Sequence, residues 1–377
     1  MLARITPSPL KGTVPAIASK SMAHRLIICA ALANGETHVT CNTTCADIEA
    51  TVRCLTALGA RIETVEDGFQ VHPTMKSVEF GLLKALAGGT LDCGESGSTL
   101  RFMLPVACAL GAEATFVGQG RLGARPLSPL SDEIIAAGCD LQGLGGFPLK
   151  TSGRMRPGTF VLPGNVSSQY ISGLLLAAPL LAQPSCVQVT GLIESRPYIN
   201  LTLQLMRDFG AQADWVSEDC ITVSPGGYTD TPFTVESDWS AASYWYQMMA
   251  IEGIKNEKIK GGDRSSAKES EDSTKEEAHT AEIELLGLFA HSYQGDSRGA
   301  EVFTRLGVHT EYTDRGVKLT RKGTPATRLD EDMVDIPDLA QTFVVTCCLM
   351  DIPFRFTGLQ SLKIKETDRI TALITEL

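Results

Sequence analysis

A chain of 377 residues with 43% hydrophobic and 20% charged side chains is too long for one ordinary core and has the make-up of a globular protein of about two domains. A formal net charge of −11 argues against general binding to nucleic acid or an anionic membrane surface, while leaving room for a local basic cleft. The 11 cysteines include no CxxC pair and read as small, buried, reduced thiols of a cytosolic protein, with neither a zinc site nor a disulfide framework, and no apolar run is long enough to cross a bilayer.

The first element is "ASKSMAHRLIICAALANG". Its apolar segment is short, follows Arg25 directly and lies behind three prolines, so it does not read as a secretory signal. Ser21 fits the N-cap of a helix in which Ile27, Ile28 and Leu32 recur at helical spacing. Lys20 and Arg25 then share its opening turn, as at an anion site, although alone the element reads as a capped surface helix. Next, "LDCGESGSTLRFMLPVACAL" places a Gly- and Ser-rich turn before an apolar helix that carries Arg101. "GQGRLGARPLSPL" sets Arg121 and Arg125 in a Gly/Pro-rich turn ahead of another helix. "NVSSQYISGLLLAAPLL" opens a helix with Ser167, Ser168 and Gln169, and "SRPYINLTLQLM" opens one with Ser195, Arg196 and Tyr198. Towards the end, Asp338 begins the helix of "DIPDLAQTFVVTCCLM", and "KETDR" crowds Lys365, Glu366 and Arg369 together.

Four stretches share one form: "CLTALGARIE", "IIAAGCDLQ", "LMRDFGAQADW" and "VFTRLGVHTEY". In each an amphipathic helix end meets a glycine and then a short alternating run, the expected helix stop followed by a strand. Recurrence of this form indicates repeated α/β units. "DRITALITEL" has the spacing of the helices that precede these turns, which implies a further turn and strand beyond Leu377. Residues 254–280 are nearly devoid of apolar side chains and are expected to form a mobile surface insertion.

Each polar helix start has an innocent reading as a cap. Together they predict helices that converge by their N-termini on one anion-attracting cleft. Lys365 and Arg369, like charges one turn apart, fit a bound anion better than a salt-bridge ladder.

The ordered set "SKSMAHR", "GESGSTLR", "RPLSPL", "SSQYISGLL", "SRPYI", "DIPDLAQT" and "KETDR" closely resembles the 5-enolpyruvylshikimate-3-phosphate synthases, or 3-phosphoshikimate 1-carboxyvinyltransferases. "SDWSAASYW" and "YQGDSR" also fit. The resemblance implies an α/β fold: a two-domain inside-out α/β barrel of repeated βαβαββ units, with helices packed inside. It places residues 1–18 and 237–377 in a discontinuous first domain and residues 19–236 in a second. It implies transfer of the enolpyruvyl group of phosphoenolpyruvate to the 5-hydroxyl of shikimate 3-phosphate with release of phosphate, by a cytoplasmic monomer needing no redox cofactor or metal.

Position by position, the resemblance assigns Ser21, Arg25, Ser167, Ser168, Gln169, Ser195, Tyr198, Asp338 and Lys365 to shikimate 3-phosphate. Lys20, Arg125, Gln169 and Arg369, with the backbone around Gly97, fall to phosphoenolpyruvate. Asp338 becomes the acceptor of the hydroxyl proton, and Glu366 with Lys20 serves proton transfer at the methylene carbon. Glu95 stands where many members carry Asn, and Ser98 replaces a commoner Thr. The family continues past "KETDR" with a further Arg and Lys for the donor, so the expectation is a truncated chain that holds phosphoenolpyruvate weakly and turns over little. Two other readings are a UDP-N-acetylglucosamine enolpyruvyl transferase, which would present a cysteine in the turn that here reads "GQGRLGARPL", and a non-catalytic fragment that only binds shikimate 3-phosphate.

Overall fold

The computed structural model describes residues 10–73, 87–261, 281–365 and 367–377. One unit recurs along it: strand, helix, strand, helix, strand, strand. The first comprises β1 (Lys11–Pro15), α1 (Lys20–Ala31), β2 (Thr37–Thr40), α2 (Ala46–Ala57), β3 (Arg61–Val65) and β4 (Gly68–His72). The second comprises β5 (Ala87–Asp92), α3 (Gly97–Leu110), β6 (Glu113–Val117), α4 (Leu130–Ala136), β7 (Cys139–Gln142) and β8 (Leu149–Gly153). β9 (Thr159–Pro163), α5 (Ser168–Ala177), β10 (Ser185–Thr190), α6 (Arg196–Asp208), β11 (Ala213–Trp215) and β12 (Cys220–Val223) form the third. The fourth has β13 (Phe233–Thr234), α7 (Trp239–Gly261), β14 (Glu282–Leu286), α8 (Gly299–Thr304), β15 (Val308–Thr313) and β16 (Gly316–Arg321). β17 (Leu329–Asp332), α9 (Ala340–Met350), β18 (Phe354–Thr357) and α10 (Arg369–Glu376) begin a fifth.

The glycines read as helix stops occupy the left-handed region, with φ of 99° at Gly59, 101° at Gly138, 80° at Gly210 and 84° at Gly307. A side chain is strained there, which is why glycine ends each helix and turns the chain into a strand.

Units two and three each close their own sheet, ordered β5-β6-β8-β7 and β9-β10-β12-β11. Units one and four exchange first strands, giving β13-β2-β4-β3 and β1-β14-β16-β15. The chain therefore crosses twice between two hydrophobic cores, at 16–19 and at 235–238. One core runs from Ala18 to Val235. The other runs from Trp239 to Leu362, with Leu10 and Val14 packed against it. The two crossings lie side by side. The Ser19 N–H donates to Glu236 O at 2.9 Å and the Asp238 N–H to Ile17 O at 2.8 Å. Both α1 and α7 start where these strands emerge.

The helices lie inside and the sheets outside. Every residue from Met22 to Ala31 of α1 is buried, as is every residue of α3 except Ser98. A helix that is apolar all round needs cover all round, whereas β7 and β9 alternate buried and exposed residues as half-covered strands do. The surface-helix reading of α1 is thus overturned by packing: short apolar windows look alike on a covered face and in a core. α5 lies directly on α3, because a Cβ at Gly173 would come within 2.3 Å of the Arg101 carbonyl oxygen.

Three further expectations change. Ser19, not Ser21, caps α1, its hydroxyl accepting the Met22 N–H at 3.4 Å. Two serines two residues apart both satisfy the capping rule, and the extended backbone of Ser19 decides between them. Helix α7 runs on to Gly261, so residues 254–261 of the expected insertion continue a helix and 262–280 lie outside the described residues. Lys and Glu extend an already nucleated helix readily, and lack of apolar content speaks only to burial. Finally, Cys45 and Cys348 are exposed; seven of the other cysteines are buried and two half-buried.

His24, within α1, is fully buried, with Nδ1 at 2.6 Å from Thr51 Oγ1 and its ring edge-on to Phe102. Burial, then the charges of Lys20 and Arg25, pull its pKa from 6.5 down to about 3. The unfolded chain takes up this proton first, so the contribution of His24 is present above pH 6.5 and is lost as pH falls towards about 3. The expected slope is up to about 1.4 kcal/mol per pH unit. Urea unfolding of the His24→Gln chain across this range should show a shallower pH dependence than the parent; equal slopes would show that His24 takes up its proton alike in the folded and the unfolded chain.

Candidate active site

An open cleft of about 340 Å³ lies between the two cores, within the size range of small-molecule sites. It is lined by the opening residues of helix after helix: Lys20 and Ser21 of α1, Gly97 and Ser98 of α3, Ser168 and Gln169 of α5 behind the cap Ser167, Ser195 ahead of α6, and Arg369 of α10. Asp338, in a tight turn before α9, and Lys365 complete the wall from the second core. The cleft thus gathers Lys20, Ser21, Arg25, Gly97, Arg125, Ser167, Ser168, Gln169, Ser195, Tyr198, Asp338, Lys365 and Arg369. Glu366 lies outside the described residues, and Arg121 is exposed away from the cleft.

Arg25 is the most deeply built of the cations. Its Nε donates to Thr202 Oγ1 at 2.7 Å, Nη1 to the Ser21 carbonyl at 2.6 Å and Nη2 to Ser172 Oγ at 3.2 Å, and the guanidinium lies 4.9 Å from the Phe102 ring centroid. Burial lowers its pKa to about 10, which leaves it charged at neutral pH. Arg101 donates from Nη1 to Gln169 Oε1 at 2.7 Å, and Gln169 Nε2 donates to Ser98 Oγ at 3.0 Å. Gly173 permits this link by letting α3 and α5 touch. A Cβ on Gly97 would come within 2.5 Å of an Arg125 guanidinium nitrogen and 2.7 Å of one from Arg101. Two guanidinium groups therefore lie against the first turn of a 14-residue helix, a setting that favours an anion. Lys20 Nζ reaches Asp47 Oδ2 at 2.9 Å on the rim.

The second core contributes a cluster of charged groups. Asp338 Oδ1 accepts from Lys365 Nζ at 3.1 Å and from Arg369 Nη1 at 3.0 Å, and Oδ2 accepts from the Tyr198 hydroxyl at 3.1 Å. Burial opposes the charge of Asp338, but Lys365 and Arg369 outweigh it and hold the carboxyl well below the usual carboxylate range. The two like charges of "KETDR" tolerate each other because they share this one carboxylate. Tyr198 comes from the first core, so its hydroxyl bridges the cleft. Nearby, the Ser195 N–H crosses to Val334 O at 2.9 Å, with Ser195 itself in the left-handed region at φ 57°.

Several lining residues escaped the sequence reading: Asp47, Glu194, Asp238, Ser240 and Ser361. Asp238 caps α7 through the Ala241 N–H at 2.8 Å, a signal visible in "SDWSA" but no different from any other cap. Glu194 and Asp47 carry no local signal; they reach the cleft only because the helices before and after them converge. Among the described residues no group of three His, Cys, Asp or Glu side chains is arranged to hold a metal.

A family model described as EPSP synthase (3-phosphoshikimate 1-carboxyvinyltransferase) matches residues 5–273 and 277–377. The chain is 45% identical over 375 residues to a 3-phosphoshikimate 1-carboxyvinyltransferase of Bacteroides fragilis, covering 98% of this chain and 78% of that protein. It is 32% identical over 379 residues to the protein of the same name from Clostridium beijerinckii, covering 99% and 80%. In fold it is similar to a solved EPSP synthase from Acinetobacter baumannii, with a TM-score of 0.71 at 22% identity over 97% of this chain and 78% of the other.

Proposed function

The chain belongs to the EPSP synthase family, and from that membership we propose how its cleft carries out 3-phosphoshikimate 1-carboxyvinyl transfer, a step of aromatic amino-acid biosynthesis. The substrates are shikimate 3-phosphate and phosphoenolpyruvate. The observation that carries the assignment of roles is the meeting, in one cleft, of an anion-binding wall from the first core with the Asp338–Lys365–Arg369 cluster of the second.

Ser167, Ser168, Ser195 and Lys365 hold the phosphate of the acceptor, while Ser21, Arg25, Gln169 and Tyr198 hold its ring. Lys20, Arg125 and Arg369 hold the phosphate and carboxylate of phosphoenolpyruvate against the Gly97 backbone. Asp338 takes the proton of the attacking 5-hydroxyl as its oxygen bonds to the central carbon of the donor. Glu366, with Lys20, delivers a proton to the methylene carbon and takes one back as the C–O bond to phosphate breaks, and the hydroxyl proton held by Asp338 leaves with the departing phosphate, so the two halves of the addition–elimination balance.

The electrostatics add a timing device to this scheme. With Lys365 and Arg369 both on Asp338, the carboxylate is a weak base. Anionic substrates that draw these cations away raise its proton affinity, so the base strengthens when the substrates are in place.

No helix among the described residues is long and apolar enough to cross a membrane. The division of the chain into domains at about 18 and 237 rests on the two cores and the paired crossings between them. The rival acceptor, UDP-N-acetylglucosamine, is disfavoured by the family match and by a turn at 118–127 that offers Arg125 and no cysteine. A competition experiment tests the assignment. Shikimate 3-phosphate should bind in calorimetry and UDP-N-acetylglucosamine should neither bind nor displace it; the reverse order would overturn the reading.

A further inference from the structure

Tyr198 and Asp338 have a third companion that the scheme above does not use. Asp296, in the tight turn Gly295–Arg298, is 2% exposed, and its Oδ2 lies 3.2 Å from the Tyr198 hydroxyl oxygen and in close contact with the Ser240 hydroxyl. Tyr198 thus stands between two carboxyl groups with a single phenol proton to give. Asp338 has Lys365 and Arg369 as counter-charges. Asp296 has no ion pair among the described residues, and its Oδ1 is buried without a hydrogen-bond partner there. The basic residue of its own turn, Arg298, is engaged with Glu331 and the Asp332 carbonyl.

An ionised Asp296 would set a second buried anion against the Tyr198 oxygen and leave one charged oxygen unsatisfied. A neutral Asp296 removes the second anion and leaves Oδ1 an uncharged carbonyl oxygen, which costs less to bury without a partner, while the acid proton on Oδ2 has the phenol oxygen as acceptor. We propose that Asp296 is a positioning residue that holds a proton in the resting site, donates it to the Tyr198 oxygen, and thereby commits the Tyr198 hydroxyl to Asp338.

The groups that face Asp296 agree with this arrangement. From α6 comes Tyr198, from the start of α7 Asp238 and Ser240, and from the turn before α9 Asp338; Lys365 and Arg369 stand beyond Asp338, and Lys20 beside Asp238. Burial first, then the charge of Asp338, raises the Asp296 carboxyl to about 7, against which the hydroxyls of Ser240 and Tyr198 pull only partly. Tyr198 itself is pushed well above the ordinary phenol range by burial and the same acids, so it keeps its proton.

The inference rests on the reading of Asp338 as the base, and two measurements separate them. The first is carbon NMR of the chain labelled at aspartate carboxyl carbons, with Asp296→Asn identifying the resonance. A titration midpoint near 7 is expected; a midpoint in the ordinary carboxylate range would overturn the proposal whether or not the chain turns over. The second is the pH profile of turnover. Asparagine keeps an N–H for the Tyr198 oxygen and cannot ionise. Parent turnover should fall about tenfold as Asp296 ionises, while Asp296→Asn stays level and Asp296→Ala is low throughout. Parallel profiles for the parent and Asp296→Asn would assign Asp296 a structural role only. A parent chain that neither binds nor converts shikimate 3-phosphate would defeat the assigned activity instead, with the NMR result still deciding the proton.

Discussion

Replacing Asp338 by asparagine should lower turnover by about 100-fold or more while shikimate 3-phosphate still binds. The substitution keeps the shape of the side chain and removes its capacity to accept the hydroxyl proton. Lys365 and Arg369 both contact Asp338 Oδ1. Without that anion they are released for the phosphate and carboxylate of the substrates. Substrate affinity should therefore hold or rise as the chemical step fails, a split that simple unfolding would not produce. Steady-state kinetics beside calorimetry read the two effects separately. Near-normal turnover would remove Asp338 from its assigned role.

Replacing Gly97 by alanine should weaken phosphoenolpyruvate binding by roughly 10- to 100-fold, the equivalent of about one charge-assisted contact, and leave the acceptor almost unaffected. The new methyl group meets the guanidinium ends of Arg125 and Arg101 at 2.5 and 2.7 Å. These are the far ends of flexible side chains, so the fold accommodates the change by moving them. The cost falls on the anion site they form. Thr99 still donates its N–H to the cap Ser96, so α3 keeps its start. Loss of acceptor binding to the same extent would show that Gly97 serves the fold of the whole cleft and not the donor side.

Much of this was legible in the order of residues. The glycine stops at Gly59, Gly138, Gly210 and Gly307 mark helix–strand joints because a left-handed backbone is costly for any other residue. The polar helix starts announced a cleft because hydroxyls, amides and cations gather where backbone N–H groups are exposed. Strand exchange between units one and four was not legible: β1 and β13 are short and carry no mark of their partners, which are set by the two crossings. Asp47 and Glu194 were missed because convergence in space, and no spacing in sequence, brings them to the cleft. The cap of α1 was misplaced by two residues where Ser19 and Ser21 obey the same rule. Asp296 was visible only as part of "YQGDSR"; that it has a proton to share follows from its distance to Tyr198.

The assignment of the cleft is tested most directly by a crystal structure of the chain with shikimate 3-phosphate. The phosphate is expected among Ser167, Ser168, Ser195 and Lys365, with the 5-hydroxyl within hydrogen-bond distance of Asp338. A ligand seated with its phosphate at Gly97 and Arg125, or with its 5-hydroxyl turned away from Asp338, would contradict it.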